Sequence, residues 1–330
     1  MPLDGLRELV RVAIAPRELS EDVEPQVLNP DLSRKPCQRL RNSHGTDIQR
    51  YAIINIVSVF YLHPRSAIVK LAIQENLLPG RTLSERLAVA EKLGFNGLEI
   101  WGHGIRERMA EIKDAISTAK VGVSTICSGY RGDLLSPSRE EREVAVNDIG
   151  DLLTAAAELG AVGVIVVPTF GGPKLPDLKP LYPNVWSLER ALLVAELKEL
   201  GKKAVDTGSY VLLEPLNRYE THFLNRLEQA VSIVEEVGSP GIAVMADFFH
   251  MNIEESSVPE ALKLALKHLK HIHLADSNRW LPGFGHTDFR EPFRVLKESG
   301  YAYFMAMECH VPEPKEESLA KSARYLRSLM

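Results

Sequence analysis

From residue 67 onward, short apolar runs alternate with longer segments in which apolar residues recur every three or four positions. The short runs have the length and the β-branched content of buried strands, and a helical pattern follows each of them. Several helical patterns end in glycine, the residue that most often stops a helix. The predicted strands are 67–73, 97–100, 121–126, 162–167, 210–214, 242–246, 271–275 and 303–308.

Repeated strand–helix units predict an α/β architecture, because a helical crossover brings each new strand back parallel to the last one. The near-continuous apolar strands favour a sheet that is covered by helices. Eight such units in about 265 residues match the size of a closed (β/α)₈ TIM barrel. A doubly wound open sheet is the alternative, but no GxGxxG turn follows the first strand. We therefore predict a TIM barrel over residues 66–330.

Residues 1–65 do not follow this pattern and are predicted to be an irregular N-terminal extension. Prolines at positions 16, 25, 30, 36 and 64 interrupt the segment. Its apolar stretch, 51–62, is too short to cross a bilayer. The first thirty residues are rich in acidic side chains and lack the apolar run of a signal peptide. We expect no membrane association and a cytoplasmic location.

The composition adds two restrictions. The 330 residues carry a net charge of −5. The chain therefore lacks the basic character that is typical of nucleic-acid-binding proteins, and we expect no nucleic-acid partner. The three cysteines, Cys37, Cys127 and Cys309, lie far apart and form no CxxC pair, which argues against a disulfide framework or a cysteine zinc site. The sequence does not indicate a particular oligomeric state, and a homo-oligomer remains an alternative to a monomer.

Polar side chains stand at the ends of the last four predicted strands: Glu214, Asp247, His273 and Glu308. Barrel closure would gather them, because the C-terminal ends of the strands form the active site of a TIM barrel. Each acidic residue could instead cap the helix that follows it. Inward-facing carboxylates at successive strand ends, however, need a cation or another partner. Three carboxylates and one imidazole favour Mn²⁺, Co²⁺ or Mg²⁺, with Zn²⁺ still open.

Four segments resemble a known family: EPLNRYETHFLNR (214–226), DFFHMNIEE (247–255), HIHLADSNR (271–279) and MEC (307–309). They resemble the xylose isomerase-like sugar isomerase/epimerase superfamily, and most closely its D-tagatose/D-psicose 3-epimerase group. The resemblance covers roughly residues 67–330. It implies a TIM barrel that holds one divalent metal ion, Mn²⁺ first, and acts on a small sugar.

The resemblance also implies a role for particular residues. Glu214 and Glu308 would be both metal ligands and the two acid/base residues, and Asp247 and His273 would complete the coordination. Three further residues would bind the substrate, with the second and third on the loops after strands six and seven: Glu220, His250 and Arg279.

The implied reaction is C3 epimerisation of a free ketose through a metal-stabilised enediolate, with one glutamate removing a proton and the other returning one. Aldose–ketose isomerisation is the nearest alternative, and a dehydratase or lyase acting on an oxidised sugar also fits. An endonuclease IV-like DNA repair nuclease has the same fold but needs further histidines on strands two and three. Only His103 could contribute there, so that function is disfavoured.

Overall fold

The computed structural model describes residues 69–330, and its parallel strands close into a barrel in chain order, with β8 pairing to β1. The strands are β1 Lys70–Gln74, β2 Gly97–Trp101, β3 Gly122–Cys127, β4 Gly163–Val166, β5 Tyr210–Leu213, β6 Ile242–Asp247, β7 Leu269–Leu274 and β8 Phe304–Met307. The predicted eight-stranded TIM barrel is confirmed. The predicted extension, residues 1–65, lies outside the described residues.

Helices cover the outside of the barrel. Within the described residues they are α1 Leu83–Leu93, α2 Ile105–Ser117, α3 Arg139–Leu159, α4 Val185–Thr207, α5 Leu227–Val237, α6 Phe248–Glu254, α7 Val258–Ala265, α8 Arg290–Glu298 and α9 Lys315–Arg327. Glycine ends helices as predicted, for example at Gly160 and Gly208, whose φ angles of 68° and 72° other residues rarely adopt. No helix among residues 69–330 is long and apolar enough to cross a membrane.

Side chains alternate between the two faces of each strand, and this alternation separates two regions. Val164 and Val166 of β4 face outward and belong to the large core between strands and helices. Ile165, between them, points into the barrel, where it packs in a small apolar cluster with Leu212 of β5 and Met245 of β6. One part of the barrel interior is thus apolar.

Another part of the barrel interior is polar. On β2, Leu98 and Ile100 belong to the outer core, so Glu99 between them points inward. On β7, Ile272 and Leu274 likewise face outward. The residues on the opposite face of β7, His271 and His273, therefore also point into the barrel, and both are fully buried. This polar layer lies just beneath the ends of the strands.

Candidate metal centre and active site

The four side chains predicted as metal ligands meet at the C-terminal end of the barrel. Nδ1 of His273 lies 3.5 Å from Oε1 of Glu214, 3.7 Å from Oδ2 of Asp247 and 3.1 Å from Oε2 of Glu308. One ligand atom from each residue lies within 4.8 Å of all the others. Asp247 and His273 are direct neighbours on paired strands. Barrel closure therefore brings together residues that come from four separate strand–helix units.

This arrangement fits a divalent cation. Nδ1 of His273 is buried and has no hydrogen-bond partner. The oxygens around it belong to carboxyl groups. When these groups are ionised, they accept hydrogen bonds and donate none. An imidazole lone pair that faces three carboxylates needs a proton or a cation between them. Oxygen and imidazole ligands of this kind are typical of Mn²⁺, Mg²⁺ and related ions.

The electrostatics of the site follow from burial and from close opposite charges. Burial alone would raise the pKa of Asp247, but the positive charge of Arg279 lowers it far below its ordinary value. Burial alone would lower the pKa of His273, yet the carboxylates of Glu99 and Glu308 raise it well above the usual range. For Glu214 burial prevails, and it raises the pKa of this carboxyl group. A buried carboxylate with a raised pKa is suited to proton transfer.

Asp247 caps a helix and faces the candidate metal site at the same time. Its Oδ1 accepts a hydrogen bond from the backbone N–H of Phe249 at 2.7 Å. This bond caps the N-terminus of α6, which begins at Phe248. Its Oδ2 accepts from Arg279 at 2.8 Å and lies toward His273. One oxygen of Asp247 thus caps the helix, and the other is left to face Arg279 and His273.

His250 was predicted to lie on a loop, which is wrong: it lies in the first turn of α6 and is buried. Its Nδ1 accepts the backbone N–H of Asn217 at 3.1 Å, so in the neutral ring Nε2 carries the proton. The amide of Asn217 also donates to Oε1 of Glu220 at 2.9 Å. Glu220 is 45% exposed, at the rim of the site. Asn217, which sequence reasoning missed, thus contacts two of the three predicted substrate-binding residues.

Arg279 lies directly against two of the candidate ligands. Its Nη1 donates to Asp247 and its Nη2 to Glu308. The guanidinium also lies over the ring of Phe249, 4.7 Å from the centroid. The backbone of Arg279 has φ 61°, a strained value for this residue, and it is held by hydrogen bonds from its N–H to Asp276 and from His310 to its carbonyl. Such strain at the mouth of the barrel is typical of a functional position.

An open cavity of about 430 Å³ adjoins this end of the barrel. Gln74, Arg279 and Glu308 line its inner side, and Asn76 and His310 line its rim. This volume lies in the range of small-molecule sites. Glu308 and Arg279 therefore border an open cavity at the mouth of the barrel.

Two further polar residues lie behind the ligands, and sequence reasoning missed both. Glu99 is fully buried and accepts a hydrogen bond from Nε2 of His273 at 3.0 Å. Gln74 donates to Glu99 at 3.0 Å and to Oε1 of Glu308 at 2.9 Å. The sequence does contain one signal for Glu99, since it is the single carboxylate inside the apolar run GLEI at 97–100. His103, the one histidine considered for a nuclease site, is instead exposed after β2.

Comparison with known proteins agrees with this geometry. A model of the family described as xylose isomerase-like TIM barrel matches residues 87–329. The chain belongs to the xylose isomerase-like TIM barrel family. The predicted resemblance is therefore confirmed.

Several relatives of this chain are named as epimerases. The chain is 32% identical over 262 residues to 3-dehydro-D-guloside 4-epimerase of Escherichia coli. The aligned region covers 79% of this chain and 100% of that protein. It is 31% identical over 224 residues to D-psicose 3-epimerase of Agrobacterium fabrum, covering 66% of this chain and 75% of that protein. The apo crystal structure of 3-keto-D-glucoside 4-epimerase from E. coli matches with a TM-score of 0.72 and 31% identity, over 79% of this chain and 99% of that one. These relatives confirm the predicted enzyme class, an isomerase.

Proposed function

We propose that this protein is a divalent-metal-dependent sugar epimerase, which inverts the carbon next to the keto group of its substrate. The observation that carries the proposal is the meeting of Glu214, Asp247, His273 and Glu308 around the unpartnered Nδ1 of His273. Relatives that act on keto sugars support the same reaction class. A cation held by these four side chains would polarise the keto group as a Lewis acid and so acidify the neighbouring C–H. Mn²⁺ is the cation that we expect first, with Co²⁺ and Mg²⁺ as alternatives.

Glu214 and Glu308 are the acid/base pair in this proposal. They follow β5 and β8, which are separated around the barrel by two strands, so they approach the site from different sides. Inversion at carbon needs a base on one face and an acid on the other. Glu214, whose pKa is raised by burial, takes the proton from one face. Glu308, beside the open cavity, returns a proton to the opposite face.

The remaining polar residues bind and orient the substrate. Asn217 fixes His250 so that its Nε2–H can donate to a substrate oxygen. Arg279 supplies a fixed positive charge next to the oxygens on which negative charge develops, and this lowers the barrier to proton removal. Glu220, exposed at the rim and held by Asn217, is placed to accept from a sugar hydroxyl group.

Two substrate classes fit this chemistry. A free ketose would be inverted at C3, next to its keto group at C2, as the motifs at 214–226 and 247–255 imply. A 3-keto glycoside would be inverted at C4, next to its keto group at C3. The second class is favoured by one specific observation: the chain covers the full length of 3-dehydro-D-guloside 4-epimerase. In both cases the carbon that is inverted lies beside a carbonyl group.

The test combines metal analysis with a substrate panel. Purified full-length protein should bind about one Mn²⁺, Co²⁺ or Mg²⁺ per chain, as one hard-ligand site predicts. The loaded protein should convert either a free ketose such as D-psicose or a 3-keto-D-glucoside into its epimer, detected by chromatography. Three zinc ions per chain, or no conversion of either class, would contradict the proposal. Conversion of only one class would identify the substrate.

A further inference from the structure

Glu99 lies at the centre of a row of polar residues that crosses three strands. Its register partners are Gln74 on β1 and Thr125 on β3. Nε2 of Gln74 donates to Oε1 of Glu99 at 3.0 Å, and Oγ1 of Thr125 donates to Oε2 at 2.6 Å. From β7, across the barrel interior, Nε2 of His271 lies 2.8 Å from Oε2 and Nε2 of His273 lies 3.0 Å from Oε1. Four potential donors therefore converge on one buried carboxylate.

This arrangement determines which nitrogen of His273 can bind a metal. A carboxylate surrounded by donors is an acceptor, so the proton of the neutral imidazole must be on Nε2, toward Glu99. Nδ1 then carries the lone pair. That atom is the one that faces Glu214, Asp247 and Glu308 and has no hydrogen-bond partner. Glu99 thus selects the tautomer and the ring orientation that the metal centre requires.

The same row also reaches a second ligand. Nε2 of Gln74 donates to Oε1 of Glu308 at 2.9 Å, in addition to its bond with Glu99. Oε2 of Glu308 is left facing His273. Two of the four ligand side chains are therefore held from behind by neighbouring residues on β1 and β2.

We propose that Glu99 is a positioning residue of the metal centre, which holds His273 with Nδ1 directed at the cation and, through Gln74, orients Glu308. The inference rests on the proposed function, because it presumes that the four-ligand site binds metal. Carboxylates that orient a metal-binding histidine raise the basicity of the ring and reduce its freedom to rotate. Their removal typically weakens metal binding by about 10- to 100-fold.

A different role for Glu99 would be that of a ligand. Glu99, His271 and His273 also lie close enough to hold an ion of their own. An ion there would occupy Nε2 of His273, and a second ion at Nδ1 would require the ring to lose both protons. One ring cannot readily serve both sites, so the number of ions per chain separates the two roles.

The test is a titration of the metal-free, full-length protein with Mn²⁺, in which electron paramagnetic resonance measures the free ion. Glu99→Gln preserves the shape of the side chain and removes its charge. Glu75→Gln is the matched control: Glu75 is a similarly buried carboxylate just after β1, but it binds Arg108 and the backbone of Trp101. Thr125→Val removes one donor to Glu99 and leaves every buried charge in place.

We expect one Mn²⁺ per wild-type chain, a dissociation constant about 10- to 100-fold higher for Glu99→Gln, and a smaller increase for Thr125→Val. The Glu75→Gln control should bind Mn²⁺ as the wild type does. Excess Mn²⁺ should restore much of the turnover of Glu99→Gln, which a general loss of structure would not allow. If Glu99→Gln does not fold, the Thr125→Val measurement decides.

Unchanged Mn²⁺ affinity in a folded Glu99→Gln, or in Thr125→Val where that variant decides, would overturn the positioning role and leave the proposed function intact. Two ions per wild-type chain would make Glu99 a ligand and overturn it as well. A wild-type protein that binds no Mn²⁺, Co²⁺ or Mg²⁺ would overturn the metal centre and this inference together.

Discussion

Asn217 donates its backbone N–H to Nδ1 of His250 across 3.1 Å, and its side-chain nitrogen lies 2.7 Å from the same atom. A backbone N–H cannot accept a hydrogen bond, so Nδ1 of His250 is the acceptor and Nε2 of the neutral ring is the donor. Nε2 lies 3.3 Å from Nη1 of Arg279 and 3.7 Å from Oδ2 of Asp247, at the edge of the candidate metal centre. The donor is therefore directed at the site before a substrate arrives.

This relationship predicts different behaviour for two substitutions of His250. In His250→Gln the amide nitrogen can reach the position of Nε2 and still donate there. In His250→Asn the shorter amide reaches only the position of Nδ1, so the donor toward the substrate is lost. We expect kcat/KM to fall by about 10²-fold in His250→Asn, the scale for one lost oxyanion donor, and by clearly less in His250→Gln. Equal losses in the two variants would contradict the assignment of the proton to Nε2.

Arg279 provides a second prediction, because it contacts both Asp247 and Glu308. Arg279→Ala should lower kcat/KM by about 10²-fold or more through loss of a charge-assisted donor, and metal content should stay unchanged. Arg279→Lys should recover only part of the loss, since a single ammonium group cannot reproduce the two-pronged geometry. Steady-state kinetics and elemental analysis measure the two effects separately.

The control for this prediction is Arg290→Ala. Arg290 is an exposed arginine at the start of α8 that pairs with Asp288. Its loss should leave kcat/KM close to the wild-type value. If Arg279→Ala were equally harmless, Arg279 would not bind substrate; if it lost the metal, the guanidinium would be organising the ligands instead.

The third prediction concerns the two glutamates. Glu214→Gln and Glu308→Gln should each reduce epimerisation by several orders of magnitude, because one face of the reacting carbon loses its acid/base group. Each change also removes a charged ligand, so turnover must be compared at saturating metal. A folded variant that binds metal and epimerises at near wild-type rate would refute the two-glutamate scheme.

The fold and the meeting of four polar side chains could be predicted because each leaves a local mark in the sequence. The strands of the barrel are short apolar runs, and Glu214, Asp247, His273 and Glu308 stand at or next to the ends of consecutive ones. In a closed barrel, such ends have to meet. Sequence position alone was therefore sufficient to predict that four residues, spread over almost a hundred positions, lie close together.

The layer behind the ligands could not be predicted in the same way. Glu99 and His273 are 174 residues apart, and their contact depends on the direction in which each side chain points from its strand. In a run of four residues such as GLEI, period-two alternation cannot be distinguished from a fully buried strand. The helix α6 was missed for a related reason: its seven residues are too few to show a helical period, and it begins because Asp247 caps it.

The fourth prediction is a pH dependence of the metal-free protein. Burial raises the pKa of Glu214, so the folded state keeps a proton that the unfolded chain, with a pKa of about 4.3, has released. The unfolding free energy therefore falls as pH rises from that value through the raised pKa. Glu214→Gln removes this contribution. Chemical denaturation with EDTA present should show the variant gaining stability relative to wild type as pH rises from about 4 to about 8. A difference that does not change with pH would contradict the raised pKa.

The most direct test of the central claim follows the fate of the proton on the reacting carbon. Metal-loaded wild-type protein is incubated in D₂O with D-psicose or with a 3-keto-D-glucoside, and the separated epimers are analysed by mass spectrometry with localisation of the label. Because one glutamate removes the proton and the other returns one derived from solvent, the product epimer should carry one deuterium at the inverted carbon. An epimer formed without deuterium, or no exchange and no epimer from either substrate class, would contradict the account.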